Sequence, residues 1–283
     1  MSINQQEFSE IEFKIIECVC AWYDLLGFGK PLVDEKWDLN KKGCHSQLQR
    51  IKMLDLTFAN SYSSTYGTSS LCLNDGVILN YDINHKKKSL KLEIVRMFDD
   101  IILEYEILNH RDFEAGFPGV RGLITFGHRY NYTHVETTVS VAYSKTIAYH
   151  PAEFQMNTAF SKAYIMESSG SKAGIEGNHL YIDNLLLNSL EDLLISEDNS
   201  SSSNYKIEKN FDDKENDFHF TIYMDDAVFL KLYFEKLSIE YNYKGIETIL
   251  YKYIKRDSLQ DQLAQEEQYK RAMRYAQWEN EEK

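Results

Sequence analysis

The sequence predicts an α+β fold on a ferredoxin-like βαββαβ core, and three observations predict it. Residues 13–23, FKIIECVCAWY, are a nearly continuous run rich in β-branched and aromatic residues, the pattern of a central strand. Residues 71–82, LCLNDGVILNYD, set Asn-Asp-Gly between two apolar runs, a strong short-range hairpin signal. Across 90–113, Ile94, Phe98, Ile101, Tyr105 and Leu108 recur at spacings of 4, 3, 4 and 3, which is one buried helical face.

The remaining elements follow in order. Gly27 and Gly29 break the first strand, and Pro31 fits the first turn of a helix. Residues 31–60 read as mostly helical, interrupted at Gly43, and 61–70 as a loop or the approach to a strand. The basic stretch 83–89 is a surface connection. Gly116, Pro118 and Gly119 end the long helix, and VRGLITFG (120–127) is a strand, with a second strand expected near 137–143. Residues 153–168 read as a helix with Ala159, Ala163 and Met166 on one face and Phe160 and Tyr164 beside them; 178–183 is a short strand. This order of elements is that of a βαββαβ core with an antiparallel component.

After 184 the character changes. Residues 191–204 read as a polar, serine-rich loop, and 205–211 and 217–224 as strands joined by an acidic turn. The run 228–234 suits either a further strand or a helix, and the chain from about 244 reads as helical. No internal repeat is visible.

Bulk properties exclude several functions. The chain has 283 residues and a formal net charge of −13, which disfavours a sequence-independent nucleic-acid binder. An anionic small molecule still fits where a metal or a local cation neutralises it. No apolar run approaches the roughly 18 residues needed to span a bilayer. The N-terminus has neither the basic start nor the apolar stretch of a signal peptide. The four cysteines form no disulfide framework or zinc quartet, so a reducing cytoplasmic setting is expected. Cys18 and Cys20 share one strand face and read as buried strand residues. The histidines show no zinc spacing, and neither a Gly-x-Ser-x-Gly element nor a Cys/His dyad appears.

Two acids carry the chemistry. Asp24 ends the first strand, and Asp75 lies 51 residues later at the hairpin tip. An unpaired carboxylate at a buried strand end costs several kcal/mol to desolvate, so it either exits into water or holds something positive. In a βαββαβ core the first strand and the hairpin are neighbours. Acids at the same end of both can hold divalent cations, orient a nucleotide's phosphates and lower the pKa of an attacking hydroxyl. Backbone N–H groups at Gly27 and Phe28 are placed to meet phosphate oxygens. The plain alternative is a solvated strand cap and an ordinary Asn-Asp-Gly turn.

These segments resemble the class III nucleotide cyclases. YDLLGFGKPL resembles their first metal motif and LCLNDGVILNY their second; VRGLITFG resembles the strand after the long helix. NTAFSKAYIMESSGSKAG resembles the helix carrying the transition-state residues, in a form most like the pyrimidine cyclases of bacterial Pycsar antiphage systems. The resemblance covers residues 10–185 as a catalytic domain and leaves 186–283 as a strand and helix extension. It implies a homodimer with each site built across the interface, two Mn²⁺ or Mg²⁺ ions on Asp24 and Asp75, and the Leu25 carbonyl completing one coordination shell. It further implies a pyrimidine nucleoside triphosphate (UTP, or CTP) as substrate, a cyclic mononucleotide as product, and a separate effector protein that reads it. The chain departs from the purine cyclases: SSLCLND has no lysine before the second metal aspartate. The usual Asn and Arg one helical turn apart fall on Ser161 and Ile165 when Glu167 anchors the comparison. Asn157 and Lys162 are the nearby substitutes. Arg121 is the candidate for an oxyanion or pyrophosphate contact, or else a structural salt bridge. Two other readings stay open: a catalytically inactive cyclase-like module that binds a nucleotide or a partner, and a palm-like nucleotidyl transferase with a linear or dinucleotide product.

Overall fold

The computed structural model describes residues 14–59, 68–131, 151–195, 205–212, 217–224 and 227–258. The first strand, β1 (Ile15–Leu25), is followed by a short helix α1 (Gly29–Asp34), a 3₁₀ turn at Lys42–Cys44 and α2 (His45–Ala59). The hairpin β2 (Thr68–Leu73) and β3 (Gly76–Asp82) leads into the 25-residue α3 (Leu90–Glu114) and then β4 (Val120–Tyr130). These four strands lie in the order β2-β3-β1-β4, with β1 antiparallel to both β3 and β4. That is the βαββαβ arrangement the sequence pattern implies. The strand expected near 137–143 lies outside the described residues.

From β4 the chain passes through α4 (Thr158–Ser169) to β5 (Leu180–Asp183), which pairs parallel with β4. Helix α5 (Asn184–Ile195) follows, then β6 (Tyr205–Asp212), β7 (Asp217–Met224) and β8 (Ala227–Lys236). A small hairpin, β9 (Tyr241–Tyr243) and β10 (Ile246–Thr248), precedes β11 (Leu250–Ser258). β11 lies between β5 and β8, so nine strands form one mixed sheet in the order β2-β3-β1-β4-β5-β11-β8-β7-β6.

The sheet buries both faces. Alternation along β1 sends Val19, Ala21, Tyr23 and Leu25 into a core with α2, α3 and α5. Cys18, Cys20 and Trp22 face the other way, against α4 and the β9–β10 hairpin. The five residues that define the helical stripe of α3 are all buried. At 25 cal/mol per Å² such apolar burial, about 1.5–3 kcal/mol for each large side chain, supplies the main drive to fold.

Three sequence expectations are corrected. The chain past 244 is not helical within the described residues: 246–248 and 250–258 are strands, and 228–234 is a strand as well. The charges of YKYIKRD misdirect, because Lys252 pairs with Glu235 and Arg256 with Asp99 and Glu106, so each charge has a partner at the sheet surface. Residues 191–195, read as the start of the 191–204 loop, instead end a helix over 184–195; the Asp183 carboxylate caps it by accepting the Leu185 N–H at 3.1 Å. The helix read as 153–168 begins only at Thr158, because Met156 is left-handed (φ 47°) and Asn157 is the N-cap.

Candidate functional site

Helix α4 lies along β1 in the same direction. Its N-cap Asn157 reaches Cys18 and Cys20, Phe160 and Tyr164 meet Trp22, and Glu167 reaches Asp24. The site is at the Asp24 end of this layer.

Asp24 is opposite Gly76 on β3 and Arg121 on β4. The next residue, Leu25, donates its N–H to the Asp75 carbonyl at 2.9 Å, which closes the tip of the β2–β3 hairpin onto the end of β1. Gly76 is required there: a Cβ would lie 2.3 Å from Trp22 Cη2. Asn74 takes the left-handed conformation of the tip at φ 51°. The two aspartates foreseen as a pair are thus brought to one end of neighbouring strands.

The glycine turn is held from below. Gly27 has φ 69°, a conformation costly for any residue with a side chain. Leu26 donates to the Gly119 carbonyl at 3.0 Å and accepts from Arg50 Nη2 at 3.1 Å. Arg50 is itself buried in a two-point pair with Asp112 at 2.8 and 2.7 Å. Asp112 also accepts the Gly119 N–H at 3.0 Å. This buried network fixes the turn's position. The Phe28 side chain packs into the main core, so only its backbone is available to a ligand.

Arg121 and Glu167 complete the constellation. Arg121 Nε and Nη2 donate to one Glu167 oxygen at 3.0 and 2.6 Å, and Nη1 donates to the Ile175 carbonyl at 3.3 Å. Glu167, Asp75 and Arg121 all act on the Asp24 carboxyl, and the guanidinium is bonded to Glu167. Burial, then the charge of Glu167 and then that of Asp75, push the Asp24 carboxyl from 3.8 up to about 7, with Arg121 opposing and a hydrogen bond to Glu167 adding to the rise. The donor set is short of positive charge, as a cation-binding site is before the cation arrives. Asp24 and Asp75 could hold divalent ions, with phosphate oxygens and water filling the remaining positions. Among the described residues no group of three or more His, Cys, Asp or Glu is gathered as a complete metal cage.

The other candidates lie elsewhere. Asn157 is a buried cap whose oxygen accepts the Phe160 N–H at 2.9 Å and whose amide donates to Asn80 at 2.8 Å and the Glu153 carbonyl at 2.9 Å. Lys162 turns to Asp183 at 3.3 Å, where the same buried carboxylate accepts from Thr248 at 2.5 Å. Neither is beside Asp24 in this chain.

The contacts of Glu167 at the site and of Asp183 beneath Lys162 were not foreseen. For Glu167 the signal was present: it extends the i, i+4 row Ala159, Ala163 on the buried face of α4, where an acid demands a partner. For Asp183 the signal was its place just before an apolar helical run.

No family model and no curated protein matches the chain. Solved structures similar to it include the adenylyl cyclase CyaB from P. aeruginosa, at 10% identity over 87% of this chain and 97% of that one, with TM-score 0.41. The guanylyl cyclase Cya2 is similar at 11% identity over 86% and 94%, with TM-score 0.41. So is the guanylate cyclase domain of RhGC from Catenaria anguillulae in complex with GTP, at 11% identity over 86% and 100%, with TM-score 0.39. A likeness at this level adds nothing to the chemistry, which rests on the residues above. No helix among the described residues is long and apolar enough to cross a membrane.

Proposed function

We propose that the protein is a pyrimidine nucleotide cyclase, converting UTP, or CTP, to the 3′,5′-cyclic mononucleotide and pyrophosphate as a second messenger in antiphage defence. The observation that carries this reading is the meeting of Asp24 and Asp75 beside the Gly27 turn, clamped by the Leu25 N–H to the Asp75 carbonyl at 2.9 Å. Two divalent cations, Mn²⁺ or Mg²⁺, when bound by these aspartates, would supply charge neutralisation and acidify the attacking hydroxyl. The chain's own residues do the rest. The Gly27–Phe28 backbone receives phosphate oxygens, and the Arg50–Asp112 network keeps that turn in place. The ribose 3′-hydroxyl gives its proton to water, and its oxygen forms a bond to the α-phosphorus as the bond to the pyrophosphate oxygen breaks. The absence of a lysine in SSLCLND supports a pyrimidine over a purine. A homodimer, in which the partner supplies the opposite wall, and a separate effector belong to the same reading.

The test is direct. Purified protein is incubated with ATP, GTP, CTP or UTP and Mn²⁺, with and without phage extract, and the products are identified by mass spectrometry. The expected product is cyclic UMP or cyclic CMP, lost in Asp24→Ala and Asp75→Ala. No cyclic product under any condition would remove the enzyme reading. A second reading, a nucleotide-binding module without turnover, is favoured by one observation: the candidate cations Arg121, beside Asp24, and Lys162, away from it, are both engaged within the chain. Nucleotide binding without product would select it.

A further inference from the structure

We infer that the cleft between α3 and β11 is a second ligand site, suited to a neutral planar nitrogen heterocycle such as a nucleobase. It lies on the α3 face of the sheet, whereas Asp24 meets Glu167 on the α4 face. The inference is independent of the cyclase reading.

The cleft has a volume of about 520 Å³, within the range of small-molecule sites. Its walls are the C-terminal half of α3, the Asn178–His179 approach to β5, and Tyr253 and Ile254 of β11. A β-bulge shapes the last wall. Tyr253 pairs with Phe234 and Lys255 with Tyr233, so Ile254 is the extra residue. Two consecutive residues of one strand therefore line the same cleft, which regular alternation forbids.

Two amides supply the recognition. Asn109 Oδ1 accepts the Val120 N–H at 3.0 Å, which fixes which way round that amide sits. Gly119 makes room for it: a Cβ there would lie 2.3 Å from the same oxygen. Asn178 Nδ2 also donates to Asn109 Oδ1, at 3.5 Å. The Asn109 NH₂ and the Asn178 Oδ1 are left without a partner among the described residues, and both residues line the cleft. A ligand that carries donors and acceptors around its rim satisfies both. The remaining walls suit a flat ring. Phe113 and Ile254 are 50% and 47% exposed, and an aromatic face accepts any base by stacking.

The charges exclude an ion. Both Glu106 oxygens are taken, one by the Tyr253 hydroxyl at 2.6 Å and the other by Arg256 Nε at 2.9 Å. His110 pairs with Glu114 at 3.2 Å. Partial burial and then the charge of Lys252 hold the His179 pKa below its ordinary value, so that ring is neutral at pH 7. A cleft without an unanswered charge favours neither a phosphate nor a cation, and its few free polar groups are too sparse for a sugar alone.

The experiment is isothermal titration of uridine, cytidine, adenosine and guanosine into the full chain without metal. Ribose controls for the sugar, and benzyl alcohol for a ring that lacks the polar rim. We expect at least one nucleoside to bind at one site per chain, more tightly than either control. Asn109→Asp keeps the oxygen that accepts from Val120 but puts an acceptor in place of the free NH₂. Binding should fall about tenfold while the urea midpoint holds. Phe113→Ala, at a half-exposed position, should also weaken binding about tenfold, and it carries the test should Asn109→Asp not fold. No saturable binding by any nucleoside overturns the proposal. So does equal binding of either control, or nucleoside binding that either folded variant leaves intact.

Discussion

The two ends of the α4–β1 layer use the same residue types to opposite effect. At the Asn157 end, Arg129 pairs with Asp82, Asn80 donates to Asp82 at 3.0 Å, and the Asn157 amide donates to Asn80 at 2.8 Å. The thiols of Cys18 and Cys20 also point at the Asn157 oxygen. One guanidinium meets one carboxylate, and the neutral groups fill each other's needs. At the Asp24 end, Asp24 feels two further carboxylates, Glu167 and Asp75, and one guanidinium that is already bonded to Glu167. A balanced buried network specifies how elements pack. In an unbalanced one a proton or a bound cation must restore the balance, so the contrast sets a structural end against a candidate site.

The comparison breaks most visibly at the balanced end. Asn157→Ala removes a helix cap and takes from Asn80 its amide donor, leaving its oxygen only the weaker Cys20 thiol. A lost cap costs about 0.5–2 kcal/mol and a buried unsatisfied polar group about 1–3. The expected loss is roughly 3 kcal/mol, read as a fall in the midpoint of urea unfolding. If Asn157 were mainly a reacting group, the midpoint would hold and only turnover would fall.

The unbalanced end responds with the opposite sign. The Asp24 carboxyl sits at about 7 in the fold, above its ordinary 3.8. A raised acid makes the folded state bind the extra proton. Its stability is therefore full near pH 4 and falls as the pH climbs through about 7. Asp24→Asn removes that fall. Without metal, the variant should match the parent near pH 4 and exceed it by on the order of 2 kcal/mol near pH 8, a figure reduced for partial solvent screening. Urea midpoints across that range measure it. Mn²⁺ should reverse the order, since it stabilises only the form that binds it. A parent whose midpoint rises steadily from pH 4 to 8 in the absence of metal would remove the charge imbalance on which the site rests.

This contrast explains what the sequence could and could not reveal. β1, the Asn-Asp-Gly hairpin and α3 are legible because their signals are local: a run, a turn, a period of 3.6. Asp24 and Asp75 were legible as a pair because the topology alone makes their strands neighbours. Glu167 was not, since its meeting with Arg121 joins residues 46 apart through the packing of α4. Asn157 is the reverse case. Its residue type suits chemistry, but its capping bond to Phe160 and its contact with Asn80, 77 residues away, give it a structural place in this chain. β11 was hidden for a third reason. Charged side chains on a strand between β5 and β8 are acceptable once Glu235, Asp99 and Glu106 neutralise them, and those partners lie far off in sequence.

The smallest expected effect is the most informative about how the two ends communicate. Cys20, which touches Asn157, is four residues before Asp24 on β1, so the ends are about 13 Å apart at the usual rise of a strand. Between them, Trp22 packs with Phe160 and Tyr164 at ring distances of 5.9 and 5.7 Å, with no charged group in that contact. Sites at such a separation without shared partners add to within about 0.5 kcal/mol. The double variant Asn157→Ala/Asp24→Asn should therefore equal the sum of the singles in urea unfolding at pH 8, with a coupling below about 0.5 kcal/mol. A larger coupling would mean that α4 moves as a rigid rod, so that loosening its cap also withdraws Glu167 from Asp24. The two ends would then be one device, and the Asn157 network would belong to the control of the site rather than to the fold alone.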